Sequence, residues 1–299
     1  MLELFHHEFV QNAFLAGTIV AIVSAIIGYF VVLRAQSFAG EALTDIGFAG
    51  ATGAALLGVS SLLGMLLFTL LAALGMGALG ERVRGRDVEI GMVLSFALGL
   101  GVLFLSIYIQ QGTHANAGVG ILFGSILSVS RSDVFVTFGC SIAILVLMAL
   151  LFRPLLFASI DPEVALTRGV PVRQLSIIFL LLLGVATAES ILVVGVLLVF
   201  ALLIAPAATA ERLAHRPLTA IILAVVLGLC FTWGGLILAF VGTAGHHFPV
   251  GFYISTLAAL SYFVSLGVGR LRAPRRYQTP PHSHCKNVPL ADHRSSVNV

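Results

Sequence analysis

The sequence predicts an all-α, polytopic transmembrane bundle of about nine helices (eight or nine), with its N-terminus outside and its C-terminus in the cytoplasm. Three observations predict it. First, 59% of the 299 residues are hydrophobic and only 10% are charged, where a soluble domain is about 25% charged. A water-soluble core has no room for that much apolar surface. Second, apolar stretches of about twenty residues recur from Phe9 almost to Arg270, each able to cross roughly 30 Å of hydrocarbon as a helix. They are continuously apolar, whereas the strands of a membrane barrel alternate apolar and polar over about ten residues. Third, the basic residues gather on alternate connections, the pattern of an oriented bundle.

Taken in order, helices are predicted at 9–33, 38–58, 60–80, 88–109, 133–152, 173–188, 190–210, 217–243 and 249–269. The first is expected to persist rather than be cleaved, because Met1–Gln11 carries no Lys or Arg and no small-residue cleavage site follows promptly. It closes on Arg34. The second helix is the one that carries acids, Glu41 and Asp45. The third and fourth flank Arg82, Arg84 and Arg86; Arg153, Arg168 and Arg173 surround the connection after the fifth; Arg212 and Arg216 follow the seventh. With the N-terminus outside, all of these face the cytoplasm, and Arg131 is the one Lys or Arg left outside. Dropping one helix would invert every charge downstream of it.

Some segments between the helices are less regular. Gly118–Ser128 is apolar and Gly-rich but too short to span, which fits a re-entrant or interfacial piece or an ordinary outer loop. The sixth and seventh helices meet near Glu189 with almost no loop. Residues 1–272 read as one transmembrane domain, and 273–299, rich in Pro, Ser, His and Arg, as a disordered cytoplasmic tail. Cys140, Cys230 and Cys285 are too far apart in sequence and context to imply a disulfide framework. Thirty-one glycines suit close backbone packing in lipid without pointing to any one function.

Ionisable groups inside apolar runs carry the functional signal, since an acid at a helix centre costs roughly 2.5–3.5 kcal/mol to insert. Glu41, Asp45 and Glu189 qualify. Glu41 and Asp45 stand four apart and share a helix face about 6 Å apart along the axis, where a cation or proton between them would relieve their repulsion. They read as a cation site in a translocation path, or as a pair solvated at the cytoplasmic helix end beside Arg34. Glu189 reads as a further path residue or a solvated turn position. His114 in the outer loop is a candidate entry ligand or a solvated histidine, and the same holds for His246 and His247. In the tail, His282, His284 and Cys285 are of the ligand types transition metals prefer, but at a spacing that matches no closed zinc motif.

An absence narrows the class. A P-loop needs a lysine at the phosphates, and the one lysine, Lys286, has no Gly-rich loop before it. ATP-driven transport would therefore need its motor in another subunit and a cytoplasmic loop to receive the force. The long connection after Arg153 is suited to that. Asp161 is placed to cap a short helix, Pro162 to open it, Glu163 to favour its positive end, Arg168 its negative end, and Gly169 to terminate it. Pro206, in the seventh helix, removes a backbone hydrogen bond and is read as a kink that is either a gate element or static.

Three stretches together resemble a known family: Gly28–Arg34 with Ser37–Asp45, the Asp161–Gly169 loop, and Val194–Ala210 with its Ala205-Pro206-Ala207-Ala208. The chain is similar to the membrane permeases of ABC importers for zinc, manganese and iron. The resemblance implies a bacterial inner-membrane homodimer in lipid, two ATPase subunits docked on a coupling helix at Asp161–Gly169, and an extracytoplasmic solute-binding protein delivering the metal. It implies no enzyme activity in this chain, no permanently bound cofactor and no nucleic-acid partner. Where the family commonly has Asp and, four residues later, His, this chain has Glu41 and Asp45. An oxygen-only ligand pair suits Mn²⁺ or Fe²⁺ better than zinc, although His114 or a second chain could add nitrogen. An ion-driven secondary transporter or a siderophore- or cobalamin-type ABC permease are the alternative readings. A membrane enzyme lacks the necessary cluster of His and acids.

Overall fold

In the computed structural model the described residues are 8–79, 86–110, 120, 124, 131–214, 216–241 and 250–272. They form ten helices: α1 (Glu8–Leu33), α2 (Ser37–Leu56), α3 (Ser61–Leu79), α4 (Arg86–Gln110), α5 (Arg131–Ile160), α6 (Pro162–Thr167), α7 (Val172–Val194), α8 (Val196–Leu213), α9 (Pro217–Val241) and α10 (Val250–Arg272). Eight of them are long and apolar enough to cross a membrane. The other two are the six-residue α6 and α2, whose 20 residues span about 30 Å at 1.5 Å per residue but are interrupted by acids.

Protein surrounds α2 instead of lipid. It packs against α3, α4, α7 and α8, and Leu43, Phe48, Ala51 and Thr52 are fully buried. A helix enclosed by other helices has no need of a lipid-compatible surface, and this explains why α2 is less apolar than the eight long spans. The most enclosed spans are α1 and α7, whereas α4 and α10 lie at the periphery. The centre is built on Phe30 of α1, edge-on to Phe152 of α5 at 5.8 Å and to Phe179 of α7 at 6.3 Å. Close approach substitutes for the missing hydrophobic drive between helices in lipid. A Cβ on Gly28 would lie 1.8 Å from the Leu203 carbonyl oxygen, so α1 and α8 touch backbone to backbone there.

Three long-range contacts establish which helix ends lie together. Arg131, at the start of α5, pairs with Glu8, at the start of α1, at 2.8 Å. An even number of crossings must separate those two residues, so α2 crosses along with α1, α3 and α4. At the opposite end Arg173, opening α7, donates to the Ala78 carbonyl near the end of α3 at 3.4 Å. Arg212, closing α8, lies over the Tyr262 ring of α10 at 5.3 Å. Among the described residues, nine crossings with α6 at one end satisfy all three.

Two sequence-based boundaries are corrected. The fifth helix, expected to end at 152, continues through Pro154 to Ile160. The sixth and seventh, expected to meet near Glu189, instead meet at Gly195. Gly195 holds φ 88°, ψ 159°, a conformation essentially reserved for glycine, so the chain turns there and not at the acid. Gly124 sits against this turn: a Cβ on it would lie 2.0 Å from the Val194 carbonyl oxygen. The rest of the Gly118–Ser128 segment lies outside the described residues, as does the tail from 273 onward.

Candidate functional site

Glu41 and Asp45 occupy one face of α2, one helical turn apart, and both are half-buried. Their neighbours on the other faces, Ala42, Leu43 and Thr44, are sealed in the bundle. Phe38, one turn towards the start of the helix on the same face, is 53% exposed. The acids therefore line the one open stripe of an otherwise enclosed helix. Thr44 keeps its hydroxyl satisfied on the Gly40 carbonyl at 2.9 Å, which leaves the two carboxylates as the ligand-type side chains of this stretch. Gly40 brings α8 in: its Cβ position lies 3.2 Å from the Leu203 side chain. Pro206, one turn further along α8, is buried and sits near Gly228 of α9, with α8 continuing as a helix on both sides of it.

Arg34 does not simply project towards the acids. Its guanidinium lies over the Phe179 ring at 5.4 Å. The turn that carries it is held by Ala35 in the left-handed region, φ 52°, with the Gln36 amide donating back to Val31 at 2.9 Å.

Glu189 is placed elsewhere. Ile191 of α7 faces α2, its Cδ1 lying 2.8 Å from the Cβ position of Gly47. Two residues back along a helix is about 200° of rotation, so Glu189 lies on the opposite side of α7. There it is 5% exposed and accepts a hydrogen bond from the Ser141 hydroxyl of α5. Among the described residues no group of three or more His, Cys, Asp and Glu could hold a metal ion. His114, His246, His247, His282, His284 and Cys285 lie outside the described residues.

At the far end of α5, the punctuation read from the sequence forms one structure. Asp161 accepts from the Val164 amide at 3.0 Å, Pro162 opens α6, and Arg168 closes it. Gly169 takes φ 78°, which lets the Val170 amide bond back to Ala165 at 3.0 Å. Ala165 is fully buried, while Val164 and Leu166 are 41% and 49% exposed. The result is a rigid short helix anchored by one residue, with apolar side chains facing outwards. Sequence reasoning missed the Ser141 partner of Glu189. A hydroxyl in an apolar run is unremarkable by itself, and the two residues are 48 apart in sequence.

The described residues thus form a bundle of membrane-length helices with two acids on the open stripe of an enclosed helix and a capped short helix at one end. The chain belongs to the ABC 3 transport family, whose model matches residues 6–269. It is 31% identical over 264 residues, 88% of this chain and 89% of the relative, to the manganese transport system membrane protein MntC of Halalkalibacterium halodurans. It is 29% identical to the manganese import system permease protein ScaB of Streptococcus parasanguinis, covering 94% of this chain and 97% of that one. Its structure resembles PsaBC from Streptococcus pneumoniae in complex with Fab, with a TM-score of 0.77 and 30% identity over 88% of this chain and 92% of that one. The chain is thus a multi-pass permease of the ABC transport class, the family expected from the three sequence stretches.

Proposed function

We propose that this permease imports Mn²⁺ across the bacterial inner membrane by alternating access, as a homodimer driven by separate ATPase subunits. The pair of half-buried carboxylates on α2 carries the reading. Two hard oxygen donors on one open stripe offer an ion a path through an enclosed helix, and such donors suit Mn²⁺. Relatives named for manganese transport support that ion over Zn²⁺ or Fe²⁺. Two carboxylates are too few for a complete shell, so further ligands come from water or from the second copy as the ion passes.

In this reading the end bearing Arg153, Arg168, Arg173, Arg212 and Arg216 faces the cytoplasm by the positive-inside rule. That puts the N-terminus outside and α6 where an ATPase can dock on Val164 and Leu166. Asp161, Pro162, Glu163, Arg168 and Gly169 hold α6 in shape, and Pro206 gives α8 a weakened point at which to bend. A solute-binding protein would deliver the ion to the opposite face.

The test is uptake of radioactive manganese by cells expressing the complete importer, with excess zinc or iron as competitor. Glu41→Ala and Asp45→Ala are expected to abolish uptake while the complex still assembles. Normal uptake by both variants would overturn the site, and stronger competition by zinc than by unlabelled manganese would overturn the choice of ion.

A further inference from the structure

Glu189 lies on the opposite face of α7 from the acidic stripe and is sealed between helices. One of its oxygens takes the Ser141 hydroxyl; the other, Oε2, is buried with no partner among the described residues. On α5, one turn from Ser141, Thr137 is 1% exposed and its Oγ1 is likewise buried and unpartnered. Ser190, the next residue along α7, has its hydroxyl 3.4 Å from that of Ser24 on α1. The three helices thus carry a carboxylate and four hydroxyls in an apolar bundle, and two of these five groups, Glu189 and Thr137, keep an oxygen with no partner among the described residues.

Nothing charged compensates Glu189 among the described residues. On α5, Arg131 is taken by Glu8 at the helix start, and Cys140 is the other titratable group beside the carboxylate. On α1, Arg34 is down at Phe179, ten residues away along α7. Glu41 and Asp45 belong to α2, on the other face of α7. No residue of α3 between Ser61 and Leu79 is charged, and on α8 Glu211 and Arg212 are at the far end. An uncompensated carboxylate in this setting is strongly disfavoured. One positive charge removes that cost, and a single carboxylate with hydroxyls is too poor a donor set for a divalent ion. A proton is the smallest such ligand, and Oε2, the oxygen that Ser141 leaves unpartnered among the described residues, is where it would sit.

We propose that Glu189 is a proton-binding site that latches α5 to α7, separate from the path of the transported metal. The proton is taken up from water when the seam opens and is enclosed when it shuts. With the proton lost, the seam holds a bare charge and α5 separates from α7 more readily.

Infrared spectra of the full chain in lipid nanodiscs test this directly. At neutral pH the wild type is expected to show a protonated-carboxyl band, shifted in heavy water, that is missing from Glu189→Gln. Below the pH at which that band vanishes, thermal stability should fall as pH rises, by up to about tenfold in the folding equilibrium per pH unit, and level off once the band is gone, while the glutamine variant lacks this fall. An ionised Glu189 at neutral pH would overturn the proposal, and so would a stability profile that follows sodium against choline instead of pH. If Glu189→Gln does not fold, Ser141→Ala serves in its place: removing the donor must move the carboxyl band, and an unmoved band overturns the assignment.

Discussion

The acids of α2 and the acid of α7 sit in the same bundle and are treated in opposite ways. Glu41 and Asp45 come as a pair, half-open, on a helix whose other faces are enclosed. Glu189 is single, sealed, and tied to another helix by Ser141. An open pair can exchange ligands with a passing ion, whereas a closed single site can only retain what neutralises it. Enclosure therefore separates the two proposed roles more sharply than the residue type does.

The largest effect that would break this contrast is on transport. Removing Glu41 or Asp45 should lower manganese uptake by at least the 10–100-fold that loss of an outer-shell partner alone produces in metal sites, measured as initial rate at fixed transporter level. The next largest concerns stability. Glu189→Ala leaves a cavity and strands the Ser141 hydroxyl, with an expected loss of about 2–4 kcal/mol, whereas Glu189→Gln keeps shape and hydrogen bonds and should lose far less; thermal unfolding in nanodiscs compares them. If the two variants unfolded alike, the sealed site would owe nothing to its hydrogen bonding. Ser141→Ala should cost about 1–3 kcal/mol in the same assay, and an equal cost for substituting the exposed Ser95 would erase its special place. Smallest is Asp161→Ala, which removes the cap of α6 at about 1 kcal/mol and should appear as faster amide exchange at Val164 with the bundle unaffected.

Much of this was legible in the sequence because it is local. The capped helix at Asp161–Gly169 is written in consecutive residues, and the acids of α2 announce themselves by spacing. The turn between α7 and α8 was misjudged because a charged residue inside an apolar run looks like a boundary. Glu189 is tolerated mid-helix through a partner on α5, and Gly195 turns the chain through a backbone conformation that no hydropathy plot registers. Pro154 likewise looked like an end. The helix passes it to Ile160, since a proline costs one hydrogen bond and a kink but does not oblige the chain to leave the helix. How enclosed each helix is could not be read at all, because that depends on neighbours distant in sequence.

The enclosure of α2 bears on how the protein is made. A segment with two acids partitions poorly into lipid by itself, and its main partners, α3, α4, α7 and α8, are all synthesised after it. Its entry into the bilayer must then wait for later helices to offer it a surface. Biogenesis of this permease is accordingly a matter of order as well as hydrophobicity: the helix that carries Glu41 and Asp45 is among the first to be translated and among the last able to settle.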